Sequence, residues 1–345
     1  MTRSMALTII PVAALAATVS FASAQELKLE EVGSIATVRP AQIKPNTIAF
    51  NDHRRDEVVD SETGLIRFED WERAQPIQKQ YLSLYPSYSE PKINITVDGV
   101  AKSYKDKLSM YVLEARFVLA KAPTTVDLSK YVSLSFLDKI DSAIKHREIN
   151  AGDVIPASNP EYAFNKNPER VWCATATQLA CIQSRYQLEG KLPSGIQLAN
   201  MLLEGKKHAD YLEFQSELRV VPFQEINQDN LKKLTGLDAP VIGVLEQNIF
   251  YVNQVMEFGK FLAVLQQNPT DSTKTIATAY MALAIKNKVL DRKKQFERVP
   301  VLRNLVPAQV LMGNSSFNTG KSLSAGLPSY SRNQIVAVAN ILARD

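Results

Sequence analysis

Alternation of apolar and polar residues predicts two strands in the middle of the chain. Residues 92–98 alternate in this way and run into Gly99, a pattern typical of a short strand that ends in a turn. In residues 212–220 one side of the alternation holds Leu212, Phe214, Leu218 and Val220, and the other holds Glu213, Gln215, Glu217 and Arg219. The second pattern predicts a half-buried strand whose charged side faces solvent.

A long hairpin is predicted further along the chain. Residues 241–251 and 256–265 are apolar and rich in strand-favouring types, and the second segment runs into the turn-forming residues 266–273. Another apolar segment follows at residues 276–285. Two apolar segments joined by such a turn favour a hairpin. A helix stays open for the last segment because it contains four small residues, Ala277, Ala279, Ala282 and Ala284.

Apolar residues at three- and four-residue steps predict helices over residues 126–144 and 331–343, with Asp127 and Ser331 as their N-caps. A shorter helix is predicted at residues 196–203, before Gly205. Residues 67–85 are compatible with another helix, which Pro76 would kink or end. Residues 108–121 are apolar with two internal charges, and the sequence leaves strand and helix open there.

The order of these elements indicates the fold class. Strands and helices do not alternate regularly, so we expect an α+β fold with an antiparallel sheet, several helices and an amphipathic C-terminal helix. Residues 25–91 contain five prolines and few long apolar runs, which predicts an N-terminal arm folded over a main domain at residues 92–345. A partner-binding segment is the alternative for the arm. Residues 151–170 are expected to form an irregular loop.

The first 24 residues have the pattern of an export signal. Arg3 gives a positive start, residues 5–19 are mostly apolar, and Ala22-Ser23-Ala24 before Gln25 matches the small-x-small cleavage pattern. We therefore expect residues 1–24 to be a cleaved signal peptide and the protein to be periplasmic or secreted. No later stretch reaches ~20 uninterrupted apolar residues, so no transmembrane segment is expected.

Composition and charge narrow the class of partner. With 45% hydrophobic and 22% charged residues, the chain has the composition of a globular protein. A formal net charge of +4, with basic and acidic residues interleaved, argues against a nucleic-acid partner. The densest basic cluster, residues 286–298, also contains Asp291 and Glu297. We interpret it as a solvated face, with an anionic surface partner as the alternative.

Cys173 and Cys181 are the only cysteines. On one continuous helix, positions eight apart lie ~12 Å from each other, which is too far for a disulfide. If the chain turns between them, the two residues face each other across a hairpin. The neighbouring β-branched and aromatic residues favour strand and make a disulfide plausible in an oxidising compartment. Two buried thiols are the alternative.

One segment resembles a phosphate-binding loop without meeting its spacing. Residues 313–322 end in Gly320-Lys321-Ser322, but six residues separate the two glycines where the P-loop has four. Gly326 and Pro328 would also interrupt the helix that this motif requires. We interpret the segment as a flexible loop or as the edge of a site for a polar or anionic ligand. The candidate binding residues are Gly313, Asn314, Ser315, Ser316, Gly320, Lys321 and Ser322.

No catalytic or metal-binding signature is found. The histidines are His53, His146 and His208; no pair of them has metal-ligand spacing, and His146 and His208 are expected on the surface. The Gly-x-Ser-x-Gly elbow of serine hydrolases and the His-Glu-x-x-His helix of zinc peptidases are absent from the sequence. We predict no cofactor and no metal.

The function expected from these patterns is non-enzymatic. We expect a periplasmic protein that binds an apolar or amphipathic envelope component, such as a lipid-like ligand, or a partner protein, through its sheet and final helix. One alternative is a hydrolase acting on envelope material, with Ser315, Ser316 or Ser322 as nucleophile and His208 as base. The other alternative is a structural envelope protein whose arm wraps a neighbour.

Overall fold

The computed structural model describes residues 27–51, 66–68, 92–97, 100–105, 108–155, 172–174, 179–187, 209–253, 256–286 and 323–344. Their strands are β1 (Lys28–Glu31), β2 (Thr47–Asn51), β3 (Ile66–Phe68), β4 (Lys92–Val97), β5 (Val100–Lys105), β6 (Leu108–Leu119), β7 (Ile144–Glu148), β8 (Leu179–Gln187), β9 (Tyr211–Val220), β10 (Val241–Val252), β11 (Met256–Gln267) and β12 (Thr275–Lys286). Their α-helices are α1 (Leu134–Ile140), α2 (Gln228–Thr235) and α3 (Leu323–Arg344). The predicted signal peptide, the helix at 196–203 and the loop at 313–322 lie outside these residues.

One large sheet dominates the described part of the chain. Its strand order is β1-β2-β6-β12-β11-β10-β9-β8-β7, and β3 pairs with the beginning of β6. Strands β1 and β2 are parallel, and the other neighbours are antiparallel. Strands β4 and β5 form a separate hairpin. The α+β class therefore holds in a coarse form, as a mostly antiparallel sheet with few helices, and β1 and β2 extend this sheet from the predicted arm.

The strand predictions in the second half of the chain are confirmed. Strands β10, β11 and β12 pair in sequence, so the predicted hairpin forms and a second one precedes it. The helix left open for residues 276–285 does not form, because β12 is hydrogen-bonded on one side to β11 and on the other to β6. Residues 108–119, where the sequence left both structures open, are strand β6.

The helix predicted over residues 126–144 is broken. Asp127 does act as a cap, but for a short 3-10 turn at Leu128–Tyr131. The hydroxyl of Ser133 accepts a hydrogen bond from the amide of Phe136 and starts α1, which ends at Ile140. Strand β7 begins at Ile144, so the stripe of apolar residues is shared by three short elements around one core.

Helix α3 is longer than predicted and begins eight residues earlier. Gly326 and Pro328 lie inside it, so the expected interruption is wrong, and Ser331 is a buried interior residue where a cap was predicted. The helix packs on one side of the sheet, which we call the helix-facing side, through Ile335, Ala339 and Leu342. None of the helices in the described part of the chain has the length and apolarity needed to cross a membrane.

The opposite side of the sheet, which we call the far side, is covered around β6 and β12 by residues 34–43 and 228–239. Arg116 of β6 is 1% exposed, and its guanidinium donates to the hydroxyl of Thr278 at 3.1 Å, to the carbonyl of Val38 at 2.6 Å and to the carbonyl of Thr235. The hydroxyl of Tyr280 donates to the carbonyl of Leu234 at 3.0 Å. The last carbonyl groups of a helix have no hydrogen-bond donor within the helix. Arg116 and Tyr280 supply donors to the last two carbonyls of α2.

Gly236 ends α2 in a conformation that other residues rarely adopt. Its φ is +66°, and a Cβ atom there would lie 2.3 Å from the carbonyl oxygen of Ala36. The packing of residues 34–43 and 228–239 on the far side therefore requires glycine at position 236. Beyond it, the side-chain amide of Gln266 donates to the carbonyls of Leu237 and Ala239 at 2.9 and 3.0 Å.

Replacing Arg116 with Met is expected to lower the free energy of unfolding by about 3 kcal/mol, because it leaves buried carbonyls without donors and Glu114 without its nearby cation. Chemical denaturation measures this difference. The matched variant Arg147→Met removes an exposed guanidinium and is expected to change the value by less than about 0.5 kcal/mol. Equal free energies of unfolding for the two variants would show that Arg116 does not stabilise the packing of residues 34–43 and 228–239 on the sheet.

The cysteine pair covers a second part of the far side. Cys173 and Cys181 lie at disulfide distance, with their Cα atoms 5.4 Å apart, as predicted for a chain that turns between them. The amide of Cys173 donates to the carboxylate of Glu217 at 2.7 Å, and Trp172 stacks on Phe250 with ring centroids 4.7 Å apart. Glu217 is therefore buried. The sequence predicted that the charged side of β9 faces solvent, and for Glu217 this prediction is wrong.

Replacing both Cys173 and Cys181 with Ala is expected to lower the free energy of unfolding by about 2.5 kcal/mol, the loop-closure entropy of a ring of this length. Urea denaturation of the oxidised protein and of the double variant measures the difference. Reducing the unmodified protein with dithiothreitol serves as the control and is expected to reproduce most of the loss. Identical curves for all three samples would contradict a stabilising bridge.

Candidate functional site

A cavity of about 150 Å³ lies between the helix-facing side of the sheet and the helices α1 and α3. Strands β7 to β12 supply its floor, and the helices supply its opposite wall. The wall residues are spaced by three or four positions, Phe136, Leu137 and Ile140 on α1 and Gln334, Ile335 and Val338 on α3, so each helix turns one face to the cavity. Most of the lining is aliphatic or aromatic, including Tyr186, Phe214, Leu245 and Phe261.

Small residues on the strands leave room for this cavity. Ala263 of β11 and Ala279 of β12 are cross-strand partners and both line it. Larger side chains at these positions would bring the sheet surface closer to α3. Ala279, one of the four alanines that suggested a helix in the sequence, therefore leaves space between sheet and helix.

Four polar side chains lie on the otherwise apolar helix-facing side as two pairs along a diagonal across β7 to β10, which we call the polar row. His146 on β7 and Ser184 on β8 are cross-strand partners, and the ring Nδ1 lies 2.8 Å from the serine hydroxyl. On the next two strands, the amide nitrogen of Gln247 donates to the hydroxyl of Ser216 at 3.1 Å. His146 and Gln247 line the cavity, whereas both serines are fully buried. The serines therefore orient the two residues that reach the cavity.

The charges near His146 determine its protonation. Burial lowers the pKa of His146 below its ordinary value, the carboxylates of Asp138 and Asp141 partly oppose this, and the ammonium of Lys145 lowers the pKa further. Asp141 accepts a hydrogen bond from the side-chain amide of Gln334 at 3.2 Å, which links the end of α1 to α3. The imidazole is therefore neutral near pH 7 and has one nitrogen engaged by Ser184.

Most of the site residues predicted from the sequence lie outside the part of the chain that the structure describes. Gly313, Asn314, Ser315, Ser316, Gly320, Lys321 and Ser322 lie outside the described residues, as do His53 and His208. Cys173 and Cys181 lie on the far side of the sheet. His146 was expected on the surface, but it is partly buried and lines the cavity, because residue 146 faces the helices in β7.

Sequence reasoning missed Ser184, Ser216 and Gln247 because they belong to three different strands. The only signal was a polar residue on the apolar side of a strand alternation, and Ser216 is one between Phe214 and Leu218. Among the residues that the structure describes, no group of three histidine, cysteine or acidic side chains is arranged to hold a metal ion.

Comparison with known proteins gives little further guidance. No protein-family model and no curated protein matches the chain. Among solved structures, the chain is similar to the Zhui aromatase/cyclase from Streptomyces sp. R1128, with 9% identity and a TM-score of 0.32 over 68% of this chain and 92% of that one. A likeness at this level transfers neither fold nor activity.

We expect the stability of the protein to fall as the pH drops through about 6.5, where the unfolded chain binds a proton at histidine before the folded chain does. The variant His146→Gln is expected to reduce this dependence in urea denaturation between about pH 7.5 and about pH 5.5. In an NMR titration, Asp141→Asn is expected to lower the pKa of His146 further, because it removes a carboxylate that raises it. A pKa of His146 above its ordinary value would contradict this electrostatic description.

Proposed function

We propose that the protein is a non-enzymatic binding protein and that its ligand occupies the cavity between the sheet and α3. The observation that carries the proposal is an apolar cavity into which only a few polar side chains project, and two of these are oriented by buried serines. Small-molecule sites commonly have this composition, since apolar walls supply affinity and a few polar groups supply orientation.

The volume of the cavity limits the ligand. An apolar void of similar size, engineered into another protein, takes up benzene. At about 150 Å³, the cavity therefore suits a single ring or a short chain. A lipid-like ligand with a long acyl chain would enter only if α3 moved away from the sheet.

The polar row indicates a ligand with one polar group. Because its amide nitrogen donates to Ser216, Gln247 offers its amide oxygen as an acceptor for a ligand hydroxyl. The Nε2 atom of His146 offers a second hydrogen-bonding position, since Nδ1 is engaged by Ser184. We therefore propose a small apolar ligand that carries a hydroxyl or a similar group.

The setting proposed for this binding is the periplasm or the exterior. The leader-like first 24 residues and the cysteine pair at disulfide distance support it. An envelope component or a small molecule that crosses the envelope would then be the source of the ligand.

The contact of His146 with Ser184 favours a serine hydrolase as a second candidate, because a base within reach of a hydroxyl is what a serine nucleophile requires. The burial of Ser184 argues against it. This residue is 0% exposed and does not line the cavity, so its oxygen does not face a substrate. The pair fits an orienting role better than a nucleophilic one.

Calorimetric titration with p-cresol, toluene and dodecanol tests the binding proposal. We expect p-cresol to bind and dodecanol to bind more weakly than either ring compound. The variant Gln247→Leu is expected to weaken p-cresol about tenfold and to leave toluene unchanged, because it removes one ligand hydrogen bond. Gln187→Leu, on an exposed residue at the end of β8, is the matched control and is expected to have no effect.

Filling the cavity tests its location. The variant Ala279→Leu is expected to abolish binding of both ring compounds while the protein stays folded by circular dichroism. Binding that survives this change, or an equal effect of the two glutamine variants, would contradict the proposed site. Ester hydrolysis lost in Ser184→Ala would favour the hydrolase, and a folded protein that binds none of the three probes would favour a structural role.

A further inference from the structure

We propose that a second pocket, on the far side of the sheet, binds a small organic monocarboxylic acid. This pocket has a volume of about 490 Å³ and lies between α2 and the far side of β9, β10 and β11. It lies on the opposite side of the sheet from the cavity, because Val244 and Glu246 of β10 face the pocket, whereas the alternate residues Leu245 and Gln247 face the cavity; Leu262 of β11 borders both. Its volume lies within the range of small-molecule sites.

A chain of charged side chains forms one part of the pocket. The ammonium of Lys260 lies 2.5 Å from one carboxylate oxygen of Glu246, and the guanidinium of Arg219 lies 3.1 Å from the other. Arg219 also contacts Glu225 at 3.0 Å. The side chains of Lys260 and Glu246 are each only 9% exposed, so both charges are held in place at the pocket wall.

Glu246 keeps its charge under all ordinary conditions. Burial raises its pKa, but Lys260 and then Arg219 more than offset this and hold the pKa at about 2. The charge of the pocket can therefore be counted with Glu246 ionised. The residues that line the pocket include three cations, Arg219, Lys233 and Lys260, and two carboxylates, Glu225 and Glu246, so the lining carries one more positive than negative charge.

Most of the remaining lining residues are apolar, and they indicate the second part of the ligand. They are Val221, Ile226, Leu231, Leu234, Val244 and Leu262, with Asn227 and Asn230 beside them. A single carboxylate would neutralise the cluster, and an apolar body would fill the space beside it. Next to the nearly buried Lys260 such a charge pair is stronger than in bulk water. These features together indicate a monoanion with an apolar body, such as an aromatic acid.

The pocket differs from a purely structural ion-pair network. A structural network gains nothing from a cavity beside its buried charges. Here Lys260 and Glu246 are in contact with each other and also border a space that a small molecule can occupy. The two interpretations make opposite predictions for the loss of Glu246, because this carboxylate competes with a ligand carboxylate for Lys260 and Arg219.

Calorimetric titration with phenylacetate, and with phenylacetamide as its neutral counterpart, tests the proposal. We expect phenylacetate to bind at least about tenfold more tightly than the amide, equivalent to about 1.4 kcal/mol. Lys260→Met is expected to weaken phenylacetate about tenfold or more, whereas Glu246→Gln is expected to strengthen it. Lys130→Met removes an exposed lysine away from the pocket and is expected to have no effect.

Two further variants keep the result interpretable. Lys233→Met changes an exposed residue at the pocket, is compatible with folding, and is expected to weaken phenylacetate about threefold. Ala279→Leu fills the cavity on the other side and is expected to leave phenylacetate binding intact. Equal binding of acid and amide, weakening by Glu246→Gln, or loss of binding in Ala279→Leu would each overturn the proposal.

Discussion

The attachment of α2 to the sheet is the contact on which the two-sided architecture depends. Three side chains of the far side, Arg116, Tyr280 and Gln266, donate hydrogen bonds to carbonyls between residues 234 and 239. These carbonyls lie at or just beyond the helix end, where the backbone has no partners of its own. If only the helix-facing side were covered, by α3, the polar side chains of the far side would be exposed to water. The attachment of α2 covers the far side as well.

The two sides of the same strands therefore have different chemistry. On β9, β10 and β11 the helix-facing side is apolar with one polar row, and the far side holds the ion pairs of Glu246. Alternation along a strand makes this possible, since neighbouring residues point to opposite sides. Gln247 and Glu246 are adjacent in sequence, yet one lines an apolar cavity and the other a charged pocket.

Much of the second half of the sheet could be predicted from the sequence, because β9 to β11 have clear strand patterns and β12 follows a clear turn. The packing of other segments on the two sides of the sheet could not be predicted. Glu114, Arg116 and Glu217 are charged residues in strand patterns, and the ordinary interpretation places them in water. Arg116 and Glu217 are buried because distant segments bring backbone acceptors and a backbone donor to them, and these partners have no signal in the sequence. For the same reason the cavity was not predicted residue by residue: the positions of His146, Ser184, Ser216 and Gln247 relative to one another depend on strand register, which alternation alone does not specify.

The position of α3 in the chain affects how the protein emerges from the ribosome. Every described strand of the sheet precedes α3 in the sequence. The apolar surface that α3 covers is therefore synthesised before the helix itself. Exposed apolar surface of this kind promotes aggregation in incomplete chains. Truncation before residue 323 would therefore leave that surface open to solvent.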